Sequence, residues 1–381
     1  MGNKIITVIA SILKPVDDTR MYEKIGLSLQ QTNRYAVNII GFESKNLPKH
    51  SEIAFHPAFS FSNKSWKRLF ATLKLLKYLY KIYPKLIITT TFEVLIAAVI
   101  FKITNRSKDI KIVYDVQENY ALNFLTNRKK NIAVKLIFKL IRWIEKISQR
   151  FISLNILAEK FYTKEISFIS NHTLVIPNAF KVIHYEEESI APLPSIFLEK
   201  RPKIIFNGTI SEIYGIEQSL EFATALHDFL PELLLIIVGH VTNTKLLNKL
   251  LNYAKSKSYI YTFVSKNPLP HNQILDLVRI ADFGIVAHQP VESIKNCFPT
   301  RIYEYMALQK PFFLQKHPYW TNYCDPWNCS INLDFNDFDA EKIAMQLDKP
   351  FYPSGTPDDI FWEKYEALLI QEIDKVTRIS I

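Results

Sequence analysis

Asn296-Cys-Phe-Pro-Thr-Arg-Ile-Tyr-Glu-Tyr-Met-Ala-Leu-Gln-Lys-Pro311 reads as a loop, a short helix and the approach to a strand. Pro299 fits the first helical position, where its missing N–H costs nothing and its fixed φ suits the helix. Ile302, Tyr305 and Met306 recur at i, i+3 and i+4, the spacing of one core-facing side. Lys310-Pro311 marks the stop before the apolar run Phe312-Phe313-Leu314. The helix start offers unpaired backbone N–H groups and a positive dipole end between Lys295 and Arg301, a ready receptor for an anion. Glu304, one turn further, can accept hydrogen bonds from neutral hydroxyls beside that anion. An anion receptor next to a hydroxyl receptor is what a nucleoside diphosphate sugar requires.

Strands alternate with helices on both sides of this stretch. Lys203 to Phe206 is strand-like and runs into Asn207-Gly208-Thr-Ile-Ser-Glu-Ile-Tyr-Gly215 and a helix to Leu226; Gly208 lets the backbone approach a ligand at a strand end. Leu233 to Gly239 has the unbroken apolar pattern of a buried parallel strand, with His240 directly after it at the ligand edge. Tyr261 to Val264 and Asp282 to Ala287 are further strands, separated by a helix to Ile280 in which His271 reads as a cap.

The other half repeats the alternation. Ile5 to Ile9 leads through Asp18-Thr-Arg20 into a helix to Leu29; Asp18 is an N-cap candidate, and Arg20 would sit in the first turn at the carboxyl edge of the strand. Val37 to Phe42, Leu86 to Thr90, Ile110 to Tyr114 and Phe151 to Leu157 read as strands, and Phe92 to Ile103 as a buried helix. Two helices are basic. In 64–83, Trp66, Leu69, Phe70, Leu73, Leu76 and Tyr80 recur at helical spacing, with Lys67, Lys74 and Lys81 on another face. In 127–150, Lys135, Lys139, Arg142, Lys146 and Arg150 form one stripe, with Trp143 on another side. That pattern suits an anionic membrane surface; a solvated face would show it too.

Up to Ile190 the chain has 29 Lys and Arg against 15 Asp and Glu, and thereafter 18 against 22, so the positive charge belongs to the first half. Anionic lipid or a phosphate-linked acceptor could balance it. Nucleic acid is disfavoured, because no zinc spacing, RNP-type strand or Gly-rich basic arm occurs. Cys297, Cys324 and Cys329 lack a C-x-x-C spacing, which suits a reducing compartment and argues against a thiolate zinc site. Residues 1–20 lack the pattern of a signal peptide.

Pro299-Thr-Arg-x-Tyr-Glu-Tyr-Met-Ala307 followed by Pro311 resembles the donor-nucleotide segment of retaining glycosyltransferases of family 4. Tyr114-Asp115-x-Gln117-Glu118, Ile176-Pro-Asn178 and the Gly208–Gly215 loop resemble further segments of that family. The resemblance implies an α/β architecture of GT-B type, two doubly wound Rossmann-like domains facing an interdomain cleft. The expected limits are 1–185, with a C-terminal helix 358–378 crossing back, a linker at 186–194, and 200–350 as the nucleotide-sugar domain. It implies Glu304 on the nucleotide ribose, with Asn207, Gly208, His240, Lys295, Asn296 and Arg301 around the rest of the donor.

Gln117, Glu118, Asp18 and Arg20 are the expected catalytic-side residues, orienting sugar and acceptor. The chain departs from the family at four points. Asn296 stands for the first Glu of Glu-x7-Glu, Gln117 for a His and Tyr214 for a Lys, and no Arg follows Gly208, leaving Lys295, Arg301 or Arg279 to supply the two missing cations. The implied protein is a metal-independent transferase with a nucleotide sugar as co-substrate and no cofactor. It would act on a lipid-linked or glycan acceptor in bacterial surface polysaccharide biosynthesis, as a cytoplasmic protein peripheral to the inner face of the membrane. The rival reading is a non-catalytic GT-B glycan-binding or complex-partner protein.

Overall fold

The computed structural model describes residues 4–44, 47, 52–60, 68, 70–126, 132–169, 172–182, 195–292 and 294–378. The linker expected at 186–194, and Trp66, Lys67 and Leu69 of the first basic helix, lie outside them, as does the start of the second at 127–131.

The chain divides into two compact units, Met1–Lys181 with Trp362–Ile381, and Val182–Phe361. Unit 1 begins with β1 (Ile5–Pro15), a π-helical segment (Thr19–Gly26) continuing as α1 (Leu27–Gln31), β2 (Tyr35–Phe42) and β3 (Ala54–Phe59). There follow α2 (Ala71–Ile82), β4 (Leu86–Thr89), α3 (Phe92–Thr104), β5 (Lys111–Val116), α4 (Tyr120–Thr126), α5 (Ile132–Ser148), β6 (Leu154–Leu157), α6 (Tyr162–Glu165) and β7 (Thr173–Val175). Its seven strands are parallel, in the order β3-β2-β1-β4-β5-β6-β7.

Unit 2 begins with β8 (Lys203–Thr209), α7 (Ile216–Phe229), β9 (Leu234–His240), α8 (Thr244–Lys255), β10 (Ile260–Ser265) and α9 (His271–Ile280). It continues with β11 (Phe283–Val286), α10 (Thr300–Ala307), β12 (Phe312–Gln315), α11 (Pro318–Cys324), β13 (Ser330–Leu333) and α12 (Ala340–Ala344). The parallel order is β10-β9-β8-β11-β12-β13. Each sheet is apolar on both faces; β4 and β9 bury every residue except His240, as strands covered by helices on both sides must.

The last helix, α13 (Glu363–Thr377), returns to unit 1. Trp362, Leu369 and Ile373 are fully buried in the same core cluster as Ile9, Val113 and Leu154. The Trp362 indole N–H donates to Ser28 Oγ at 3.0 Å, and Lys181 Nζ lies 2.9 Å from Glu366 Oε1. The final helix thus completes the core of the unit that begins the chain.

Several boundaries differ from the sequence reading. β1 runs six residues past Ile9 because Pro15 still pairs with Phe42 after a register shift. Pro299 is the residue before α10, not its first: its φ of −61° suits a helix but its ψ of 124° is extended. β3 and β13 lie in segments the sequence left without strands, and both are edges.

Candidate functional site

In both sheets the strand order reverses once, between β1 and β4 and between β8 and β11. Open parallel sheets bind ligands beyond the strand carboxyl ends at that point. In unit 2 this places the Gly208–Gly215 turn, His240, the segment after β11 and the start of α10 along one sheet edge. Gly215, with φ of 76°, caps α7, and a Cβ there would stand 1.9 Å from the Ala287 carbonyl oxygen; no other residue fits. The turns after β8 and β11 are therefore locked together.

Arg301, in the first turn of α10, is buried. Its Nη2 donates to the Thr209 carbonyl at 2.8 Å, and its guanidinium carbon lies 4.3 Å from the Phe206 ring centroid and 5.8 Å from that of Tyr214. Its Nε stands 3.7 Å from where a Cβ on Gly208 would be, so the cation runs beneath a strand end whose φ of 87° favours glycine. Among the described residues Nη1 has no hydrogen-bond partner. Burial pulls the guanidinium below its ordinary pKa. The Glu304 charge one turn away offsets that burial only in part, and an incoming anion would relieve more of its cost.

Glu304 follows one turn later. His271 Nε2 lies 3.1 Å from its Oε1, and Asn207 Nδ2 donates to its Oε2 at 3.3 Å. Asn207 is itself held, since Tyr305 Oη donates to its Oδ1 at 2.5 Å while the Ile285 N–H donates to that hydroxyl at 3.3 Å. The carboxylate is oriented from three elements, β8, α9 and α10, and its side chain keeps part of its surface exposed.

This geometry changes several expected roles. Asn207, placed with the donor contacts by sequence, spends both ends of its amide inside the protein and acts as a strut for Glu304. His271, read as a cap, reaches Glu304 instead. Lys295 Nζ pairs with Glu292 at 2.7 Å on a half-exposed loop, because a lysine there reaches its i−3 carboxylate more easily than the sheet edge. Arg279 pairs with Asp276, and its carbonyl accepts from Lys310 Nζ at the opposite edge of the sheet. Of the three cations put forward as replacements, only Arg301 reaches the Gly208 turn. Asn296 lies in the loop before α10, three residues ahead of Pro299, and His240 ends β9 with its carbonyl accepting from Ile210 N–H at 3.0 Å.

Signals the sequence did not carry surround Arg301. His288, directly after the β11 segment, is fully buried, its ring centroid 4.8 Å from that of Tyr214. Burial, reinforced by the Arg301 charge, holds His288 well below the ordinary imidazole pKa, so the ring is neutral at pH 7. Among the described residues its Nδ1 and Ser211 Oγ are further buried polar atoms without hydrogen-bond partners, both in segments following strands of this sheet.

In unit 1, Asp18 caps the turn at Thr19, its Oδ1 accepting from the N–H groups of Arg20 and Met21 at 3.1 Å each. Arg20 is buried and uses all three nitrogens internally: two-pronged on Asp115, and onto the Ile176 carbonyl, the Pro177 carbonyl and Asn178 Oδ1. Gln117 Nε2 donates to the same Asp115 at 2.9 Å. Arg20, expected to orient sugar and acceptor, thus has its three nitrogens taken up inside the unit, as a guanidinium this deep requires, while half-buried Asp18 commits Oδ1 to the turn. Glu118, 3.3 Å from Lys14 Nζ, is partly exposed, unlike the buried Arg20 and Gln117. Among the described residues Tyr120 Oη, in the segment following β5, is buried without a hydrogen-bond partner. Burial raises the Glu93 pKa despite Arg68 on one of its oxygens.

The fold and this edge-on arrangement define a two-unit α/β protein of GT-B type. The full chain superposes on sucrose-phosphate synthase of Thermosynechococcus elongatus at TM-score 0.63 and 14% identity, covering 98% of each chain. HepE of Anabaena in complex with UDP-glucose matches at 0.59 and 14%, covering 98% of this chain and 97% of that one. A putative UDP-N-acetylglucosamine 2-epimerase of Listeria monocytogenes matches at 0.62 and 8%, covering 100% and 98%. At such identities the likeness is one of fold, and it spans transferases and an epimerase alike. No protein-family model and no curated protein sequence matches the chain.

Proposed function

We propose that the chain is a retaining, metal-independent glycosyltransferase of family 4 type. It moves a sugar from a nucleoside diphosphate donor to a lipid-linked or glycan acceptor in bacterial surface polysaccharide biosynthesis. The observation that carries this reading is the buried Arg301, whose Nε and Nη2 lie under Gly208 and whose Nη1 has no hydrogen-bond partner among the described residues, a single helical turn from the braced carboxylate of Glu304. In this reading Arg301 and the amides opening α10 receive the diphosphate, and Glu304 receives the ribose hydroxyls. Charge developing on the departing diphosphate is stabilised by groups already in place. Glu118 and Gln117 serve the acceptor side, and the departing phosphate takes the acceptor proton. No cofactor beyond the nucleotide sugar takes part, and nucleic acid is no partner. The basic helices hold the protein peripherally at the anionic inner face of the cytoplasmic membrane.

HepE was crystallised with UDP-glucose, so UDP sugars head the test panel. Purified protein is incubated with UDP, GDP, ADP and their sugars, and both the melting temperature and slow release of nucleotide are measured. At nucleotide about 100-fold above its Kd, unit 2 should gain about 2.7 kcal/mol. Absence of any response would favour the second reading, a non-catalytic GT-B glycan-binding or complex-partner protein. Gln117, tied to Asp115 where the family has a proton acceptor, is the observation on that side.

A further inference from the structure

The outward surface of α5 has a composition that its basic stripe did not foretell. Ile132, Leu136, Leu140 and Trp143, at spacings of four, four and three, are 78%, 61%, 52% and 58% exposed. Lys135, Lys139 and Lys146 are exposed in the adjacent stripe, and the helix's one acid, Glu145, is buried. The opposite side is Val134, Ile141, Glu145 and Ser148. Glu145 accepts from Tyr114 Oη of β5 at 2.8 Å and from Arg142 Nη1 at 3.0 Å, so the helix cannot rotate its apolar stripe inward without breaking a buried carboxylate's bonds. α3 packs between α2 and α5, and α2 likewise exposes Leu73 beside Lys74 and Lys77.

We infer that this surface of unit 1 is an insertion face. Leu136, Leu140 and Trp143 enter the acyl boundary of an anionic phospholipid bilayer while Lys135, Lys139 and Lys146 engage its headgroups. This deepens the membrane part of the proposed function, and rests on neither the donor site nor glycosyl transfer. An apolar ridge bordered by one sign of charge matches an interface that is apolar within and anionic at its surface. A second copy of the chain would instead set these lysines against their own kind. Among the described residues no helix is long and apolar enough to cross a membrane, so the contact is a shallow one.

The test uses the full chain with vesicles of phosphatidylcholine containing about one third phosphatidylglycerol. Vesicles carrying brominated acyl chains should quench a tryptophan signal that W143F removes. L136D/L140D, placed on exposed positions, should weaken binding at least about tenfold while leaving the circular dichroism melt unchanged. Binding that brominated chains do not quench and L136D/L140D leaves intact would reduce the contact to electrostatics and overturn the inference. So would absence of binding, or self-association that L136D/L140D abolishes. Quenching in the wild-type chain stands as evidence even where the double variant folds poorly. Nucleotide stabilisation measured without vesicles reports the donor site separately, so either reading can fail alone.

Discussion

In the proposed function Arg301 and Glu304 divide the recognition of a donor into charge and hydroxyl, and each predicts a different loss. E304A should raise the Kd for nucleoside diphosphates by about 10- to 100-fold, the loss of roughly 1.5–3 kcal/mol of charged hydrogen bonding, read by titration calorimetry. R301Q should weaken nucleotide binding comparably, yet leave the ligand-free melting temperature of unit 2 unchanged or higher, since it removes a buried cation that lacks a full set of partners. A fall in both would make Arg301 framework.

His288 adds a pH signature. Its pKa is lowered on folding, so below the unfolded value near 6.5 the unfolded chain binds a proton that the native one refuses. Its contribution is thus complete above that pH and is lost as pH falls, by up to about 1.4 kcal/mol per unit. Urea titrations of H288Q should show a shallower acid limb than the wild-type chain. Of these residues, Arg301 and Glu304 were legible as neighbours because one helix carries both within four positions. Asn207 was named, but neither its bracing of Glu304 nor the parts of His271 and Tyr305 were legible, because those bonds join residues 33 to 98 positions apart and no local pattern records such a meeting.

At the scale of elements, the strands with uninterrupted apolar runs, Leu234–His240 foremost, were readable directly. β3 and β13 were not. Both are edge strands, half covered; β3 contains Pro57, tolerated at an edge, and β13 is only Ser-Ile-Asn-Leu. The basic helices were legible as charge stripes, but which side of α5 faces the sheet was decided by Glu145 and Tyr114, a polar pairing that hydrophobic periodicity cannot show. The Gly208–Gly215 turn was legible as a glycine-bounded turn at a strand end, though not its contact with Ala287. G215A should therefore destabilise unit 2 by more than the roughly 1–3 kcal/mol of backbone strain alone, with loss of soluble protein as the readout.

For the whole molecule, alternation of strands and helices in both halves gave the architecture, and the excess of lysine and arginine falls in the unit that carries α2 and α5. Each unit has its own buried core, so thermal unfolding should show two transitions, with nucleotide raising only that of unit 2. L369A should lower the other by about 2–5 kcal/mol, since Leu369 is wholly buried against β-strands of unit 1. A single transition moved by both perturbations would show that the two cores melt as one.

The return of α13 also fixes an order of birth. A ribosome emits every strand of the second sheet before it has made Trp362, so the middle of the chain can reach its native form while the amino-terminal sheet still waits, one wall of its interior open. The sheet made earlier is finished after the one made later, and a nascent chain stalled before Trp362 would expose that gap to proteases and chaperones.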